Sequence, residues 1–276
     1  MHEDSLAAYQ QLAGWLAGQA RPGECRIIGI NGAQGSGKST LARFLVEVLK
    51  KDHDLRCVVL SLDDCYLSHA ERQHLARDHH PLLATRGVPG THDAWGGMLL
   101  LKHLRELGMG QSLAIPKFSK AEDDRLPAAD WPTVTGPFNL ILFEGWCVGT
   151  PPQAAKDLAE PINSLEAEED PDGRWREYVN QQLAAVYAQW YAMLNALIFL
   201  KIPGFEQVAQ WRGQQEDETK AQAGHGKGLM STAQLHRFIQ HYERLTRHAL
   251  NVLPQQADAC LELDSQHGVA DIYYRN

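Results

Sequence analysis

The chain has no run of apolar residues approaching the 18 or so that a membrane-crossing helix needs, so nothing in it reads as a membrane span. It is also short of positive charge: 26 Lys and Arg against 34 Asp and Glu give a formal net charge of −8. Nonspecific binding to nucleic acid or to an anionic membrane needs a positive field, so both are disfavoured as partners. Cysteine is sparse and odd in number, with Cys25, Cys57, Cys65, Cys147 and Cys260 scattered and no C-x-x-C pair. That excludes a disulfide framework and a cysteine zinc site, and leaves reduced, mostly buried thiols in a cytoplasmic protein as the expectation. The first residues lack the basic, apolar and small-residue order of a secretory leader. Residues 4–19 instead place Leu6, Tyr9, Leu12, Ala13 and Leu16 on one side of a helix. There is no internal repeat and no low-complexity tract. What remains is ordinary globular composition, 44% hydrophobic over 276 residues, enough for one large α/β domain or two small ones.

Within it lies Gly32-Ala33-Gln34-Gly35-Ser36-Gly37-Lys38-Ser39, the G-x-x-x-x-G-K-[ST] pattern of a phosphate-binding loop. Its four fixed positions arise by chance in a chain this long about once in a hundred. The glycines let successive backbone N–H groups turn toward phosphate oxygens, and a following helix adds its positive dipole end. Lys38 can bridge the outer phosphates and Ser39 can give its hydroxyl to Mg²⁺. The context is right: Cys25–Asn31 is a short apolar, β-branched run, and Leu41, Ala42, Phe44, Leu45, Val48 and Leu49 fall on one helical face. The expected nucleotide contacts are Gly32 to Ser39 and Thr40. A GTPase switch should carry Asn-Lys-x-Asp and an ABC-type ATPase Leu-Ser-Gly-Gly-Gln, and the sequence has neither.

Further near-continuous apolar runs at 55–61, 139–144 and 196–202 read as buried parallel strands, and 259–263 as a late one. Helices are expected at 38–51, 68–78, 93–108, 174–195, 204–222 and 231–250. Alternating strands and helices after a first-strand phosphate loop predict an α/β fold with a central parallel sheet flanked by helices. Two loop-rich stretches, 79–93 and 115–137, are expected to leave the C-terminal ends of strands, where such sheets bind ligands.

Candidate chemistry clusters at those ends. Asp63 and Asp64 follow the second strand directly, where a carboxylate can orient or deprotonate an acceptor hydroxyl. Glu144 closes the run Leu140–Phe143 in the manner of a Walker-B acid. Ser39, Glu144 and Asp63 are therefore the candidate Mg²⁺ ligands. The stretch 211–228, with Arg212, Lys220, His225 and Lys227, has the polarity of a lid that brings a cation to the transferred phosphoryl group. The two loops offer His80, Arg86, Thr91, His92 and Asp93, and Lys117, Lys120, Asp124 and Arg125, a grouping that suits an anionic acceptor.

These motifs also occur in a familiar order. The phosphate loop, Asp63-Asp64-x-Tyr66, Arg86-Gly87-x-x-Gly90-Thr91-His92-Asp93, Phe143-Glu144-Gly145-Trp146, Trp211-Arg212 and Gly228-Leu229-Met230-Ser231 together resemble the plant-type D-glycerate 3-kinase family and its fungal and bacterial relatives. That group lies within the phosphoribulokinase, uridine kinase and pantothenate kinase superfamily. The resemblance covers nearly the whole chain. It implies one P-loop kinase domain over 1–276 with a helical lid near 204–230, ATP and Mg²⁺, and a small hydroxylated acceptor, D-glycerate at its 3-hydroxyl above others. It also implies Asp63 as catalytic base beside Lys38, Glu144 as Walker-B acid, and Arg212 opening the lid. The acceptor would lie among Asp63, Tyr66, Arg86, Thr91, His92, Asp93, Lys117 and Arg125, with Arg86 or Arg125 on its carboxylate. Cys65, Val88-Pro89 and Lys220 depart from the family pattern, and 164–177 reads as a charged surface insertion. A kinase for a nucleoside, pantothenate or another sugar acid, or a nucleotide-dependent regulator, are the competing readings.

Overall fold

The computed structural model describes residues 3–213 and 231–275. In chain order its elements are α1 (Glu3–Gln19), β1 (Arg26–Gly32), α2 (Lys38–His53), β2 (Cys57–Ser61), α3 (His69–Asp78), α4 (Ala94–Glu106), β3 (Ser112–Ala114), β4 (Phe118–Ser119), β5 (Asp124–Arg125), β6 (Thr133–Thr135), β7 (Leu140–Gly145), α5 (Ser164–Glu169), α6 (Arg174–Gln182), α7 (Ala188–Tyr191), β8 (Ala196–Lys201), α8 (206–213), α9 (Thr232–Gln256), β9 (Ala259–Leu263) and β10 (Val269–Tyr274). The central sheet runs β10-β9-β8-β1-β7-β2, parallel throughout except for β10, which pairs antiparallel with β9.

Alternation along each strand explains why its apolar run is continuous. Ile28, Ile30, Leu140, Leu142, Ile198 and Leu200 face one layer, packed against Leu12 and Leu16 of α1 and Leu41, Leu45 and Leu49 of α2. Ile27, Ile141, Phe143, Leu197 and Phe199 face the other, packed with α4, α6, α7 and α9 through Leu101, Leu104, Trp175, Trp190 and Tyr242. With both faces covered, every position of β1 and β7 is buried. The expected strand over 259–263 is β9. The edge strand β10 was not anticipated, because its residues are half-exposed and carry no sustained apolar run.

Four expectations need correction. The helix expected over 174–195 is interrupted by a π turn at Leu183–Tyr187 and ends at Tyr191. The last long helix runs on to Gln256 through Pro254. The loops at 79–93 and 115–137 leave no strand of the central sheet. They return to the turn that follows β2, where Leu67 N donates to Thr91 O, Asp93 N to Cys65 O and Phe118 N to Asp64 Oδ1. Finally, 164–177 does not lie wholly at the surface. Glu166 and Asp170 are fully buried, and each carries a partner: the Arg244 guanidinium grips Glu166 at 2.6 and 2.8 Å, and Arg176 Nη1 lies 2.9 Å from Asp170 Oδ2. Two of the acids are buried here because Arg244, far along the chain, and Arg176, six residues on from Asp170, neutralise them.

No helix among the described residues is long and apolar enough to cross a membrane. The five cysteines are free thiols, and burial pushes Cys57 and Cys147 up to about 12, which keeps them protonated and unreactive.

Two buried histidines set an acid sensitivity. Burial pushes His241 down to about 4, against the pull of its contact with the Arg237 carbonyl, and pushes His92 down to about 3. An unfolded histidine titrates near 6.5. Between that value and the native one, the unfolded chain binds a proton that the folded chain does not. Stability is therefore complete above about pH 6.5 and falls as the pH drops, by up to about 1.4 kcal/mol per pH unit for each histidine. His241→Gln removes one of these protons. Denaturant titrations at pH 7 and pH 5 should show the variant losing about 2 kcal/mol less than the parent between the two.

Candidate active site

The phosphate loop joins β1 to α2. Gly35 and Gly37 both sit in the left-handed region, with φ of +80° and +84°. A Cβ at Gly35 would also lie 2.9 Å from Cβ of Trp211, so both conformation and space require glycine there. The first turn of α2 carries no acidic residue, which leaves its positive dipole end open to an anion.

Glu144 closes β7, the strand next to β1, and its register places it beside Ile30 just below the loop. Ser39 Oγ donates to Glu144 Oε1 at 2.9 Å. Glu144 Oε2 is buried with no hydrogen-bond partner among the described residues. A hydroxyl, a carboxylate and an unsatisfied buried oxygen beside a phosphate loop fit a hard divalent cation.

The two acids after β2 divide their work because a 3₁₀ turn, Leu62–Cys65, sends Leu62 and Cys65 into the core and the acids outward. Asp63 faces the cleft. Its Oδ1 accepts from the Tyr66 hydroxyl at 3.0 Å, and its Oδ2 pairs with Lys120 Nζ at 2.6 Å. Burial alone would raise its pKa. The charges of Lys120 and Lys38 and the two hydrogen bonds outweigh that and hold the carboxyl well below the usual carboxylate range. Asp64 points the other way and is structural, receiving Phe118 N at 3.3 Å and Lys117 Nζ at 2.9 Å.

Around Asp63 lies a polar cleft of about 400 Å³, lined among others by Gln34, Lys38, Ser39, Thr40, Tyr66, Arg86, Lys120 and Arg212. Its apolar wall is Trp146, Phe238 and Tyr242, with Tyr242 OH donating to the Arg86 carbonyl at 3.0 Å. Trp211, stacked on His267 at 4.0 Å, and Arg43 of α2 also line the cleft.

Several expected acceptor residues do other work. Thr91 is fully buried, its hydroxyl bridging Gly87 N and Val88 O. His92 lies behind the cleft, stacked on Tyr66 at 4.5 Å and bonded to the Tyr187 hydroxyl at 2.6 Å. Asp93 caps α4 by accepting from Gly96 N. Arg125 donates to the Tyr66 carbonyl at 2.9 Å, and Lys117 serves Asp64. None of these five lines the cleft, whereas Asp63, Tyr66 and Arg86 do. Of the lid candidates, Arg212 lines the cleft, while Lys220, His225 and Lys227 lie outside the described residues.

Some cleft residues went unanticipated. Arg43 is one helical turn beyond Ser39, a spacing that could have found it. Phe238 and Tyr242 form an i, i+4 pair on α9 that looks like any core stripe, and nothing in the sequence ties them to the phosphate loop.

A parallel sheet with a phosphate loop after its first strand, an acid closing the neighbouring strand and a second acid facing the same cleft define a P-loop kinase. Residues 27–150 form a phosphoribulokinase/uridine kinase family domain. It is similar to the chloroplastic D-glycerate 3-kinase of Arabidopsis thaliana, 33% identical over 224 residues. That match covers 78% of this chain but only 46% of the plant protein. The uncharacterized kinase mug58 of Schizosaccharomyces pombe is 34% identical over 246 residues, covering 83% of this chain and 82% of that one. The solved structure of a D-glycerate 3-kinase from Cryptococcus neoformans matches in fold with a TM-score of 0.78, at 23% identity, over 98% of this chain and 99% of that one.

Proposed function

We propose that this chain is an ATP-dependent kinase for a short hydroxy acid, with D-glycerate, phosphorylated at its 3-hydroxyl, as the best named acceptor. The observation that carries the reading is Asp63, an ionised carboxylate facing one cleft with Lys38 and with the cations Arg86 and Lys120. The relatives called D-glycerate 3-kinase support the choice of acceptor. The same proposal takes 1–276 as one kinase domain and the segment near 204–230 as its lid.

In the proposed reaction the acceptor hydroxyl oxygen attacks the γ-phosphorus of ATP. The bond from that phosphorus to the bridging oxygen breaks, and its electron pair leaves with ADP. The hydroxyl proton passes to Asp63 and then to solvent. Asp63 orients the nucleophile and takes the proton late, which suits a loose phosphoryl-transfer transition state. The Tyr66 hydroxyl, kept protonated by burial and by the Asp63 charge, fixes the carboxylate's rotamer. Lys38 lies against the outer phosphates, and Arg212 supplies positive charge from the lid side. Mg²⁺, held by Ser39 and Glu144, would neutralise phosphate charge when bound.

Coupled ADP release with Mg·ATP tests the reading against D-glycerate, L-glycerate, uridine, pantothenate and ribulose 5-phosphate. Strong stimulation by D-glycerate above the others is expected. Stimulation by uridine or pantothenate alone would reassign the pocket, and equal slow turnover with every compound would support a regulator instead.

A further inference from the structure

The strands β4 and β5 form a two-residue-per-strand hairpin whose turn, 120–123, overhangs the cleft. It is fastened along both strands and at the far end of its turn. Phe118 N and Lys117 are held by Asp64, Arg125 by the Tyr66 carbonyl, and Asp123 by Arg72 at 3.0 Å and by Arg86. His69 N donates to Asp124 Oδ1 at 3.0 Å. The neighbouring basic side chains Lys117 and Arg125 are thus committed to the scaffold. Lys120, the first residue of the turn, is different. Its side chain is 64% exposed, lines the cleft, and places Nζ 2.6 Å from Asp63 Oδ2.

That pairing conflicts with the role given to Asp63. A carboxylate neutralised by an ammonium on one oxygen and held by Tyr66 on the other is poorly placed to receive an incoming hydroxyl. The Lys120 side of the pair is open to solvent, so an anionic acceptor can reach its ammonium and compete for it. We propose that Lys120 is the residue that reads the acceptor's charge: it pairs with Asp63 while the acceptor site is empty and moves to the acceptor's carboxylate when one binds. The exchange frees Asp63 for the hydroxyl only when an acid is present, which also restrains transfer to water. Because Nζ starts in contact with Asp63, the anion it can reach lies only a few atoms from the reacting hydroxyl. The site therefore selects short hydroxy acids over nucleosides, whose reacting hydroxyl has no neighbouring anion. Arg86, partly neutralised by Asp123, is the second cation on that side of the cleft.

This inference rests on the kinase reading, and the experiment separates the two. Steady-state kinetics with Mg·ATP would compare D-glycerate with glycerol, which keeps the hydroxyl and lacks the carboxylate, in the parent, Lys120→Met and Lys120→Arg. In Lys120→Met the preference for glycerate over glycerol, as a ratio of kcat/KM, should fall roughly 10–100-fold, mostly through a higher KM for glycerate. Acceptor-free ADP release should rise, and Lys120→Arg should recover much of the preference, which loss of a merely structural contact would not predict. An active parent whose preference survives in Lys120→Met overturns the Lys120 role alone. A parent inert toward every hydroxy acid overturns the kinase reading and the Lys120 role with it.

Discussion

Replacing Asp63 by asparagine should lower phosphoryl transfer about 10²–10⁴-fold while leaving ATP affinity nearly unchanged. The amide is isosteric and still offers an oxygen to the Tyr66 hydroxyl, so the turn at Leu62–Cys65 should hold. What it loses is the charge that attracts the acceptor proton and pairs with Lys120. Under the proposed function ATP meets Lys38, Ser39 and the loop backbone, which the turn from β1 into α2 holds in place. The loss should therefore appear in kcat rather than in the KM for ATP, which marks an interaction made in the transition state. Calorimetric titration with ATP beside coupled ADP release separates the two. A variant that keeps its turnover within about threefold would remove Asp63 from the chemistry.

The second large effect concerns stability rather than chemistry. Arg244 of α9 holds the fully buried Glu166 of α5 with two hydrogen bonds, and also donates to the Asp157 and Glu160 carbonyls at 2.6 and 2.7 Å. Arg244→Met strands a buried carboxylate and two carbonyls, and should cost about 3–5 kcal/mol. For a protein of this size that is a fall in Tm of roughly 6–20 °C. The double variant Arg244→Met with Glu166→Gln should recover part of the loss, because the stranded charge is gone. Thermal melts of the parent and both variants decide this. An Arg244→Met protein that melts within about 2 °C of the parent would mean the pair adds nothing to the packing of α5 on α9.

The contrast between these two sites shows what was legible before the structure. The phosphate loop, Glu144 and Asp63 were found because local sequence constrains them. Each follows an apolar strand directly, so covalent connection carries it to the same end of the sheet. Where a side chain's partner lies far along the chain, residue type was a poor guide. Glu166 looked like part of a solvated acidic face because nothing local announces Arg244, 78 residues on, as its counter-ion. Thr91 and Asp93 looked like ligands for an acceptor, yet short polar side chains in a tight loop first satisfy the loop's own backbone. Lys120 and Arg125 were indistinguishable as loop cations. A four-residue turn separates them, and it sends one to the cleft and the other to a carbonyl. The aromatic wall of Phe238 and Tyr242 was invisible for the same reason, since its helical spacing is what any core-facing helix shows.

Identification of the phosphorylated product tests the central claim most directly. The protein would be incubated with Mg·ATP and D-glycerate, and the phosphorus species resolved by ³¹P NMR. The expected result is 3-phosphoglycerate appearing mole for mole with ADP, absent without D-glycerate and nearly absent in Asp63→Asn. ADP accompanied only by inorganic phosphate, at a rate indifferent to D-glycerate, would contradict it.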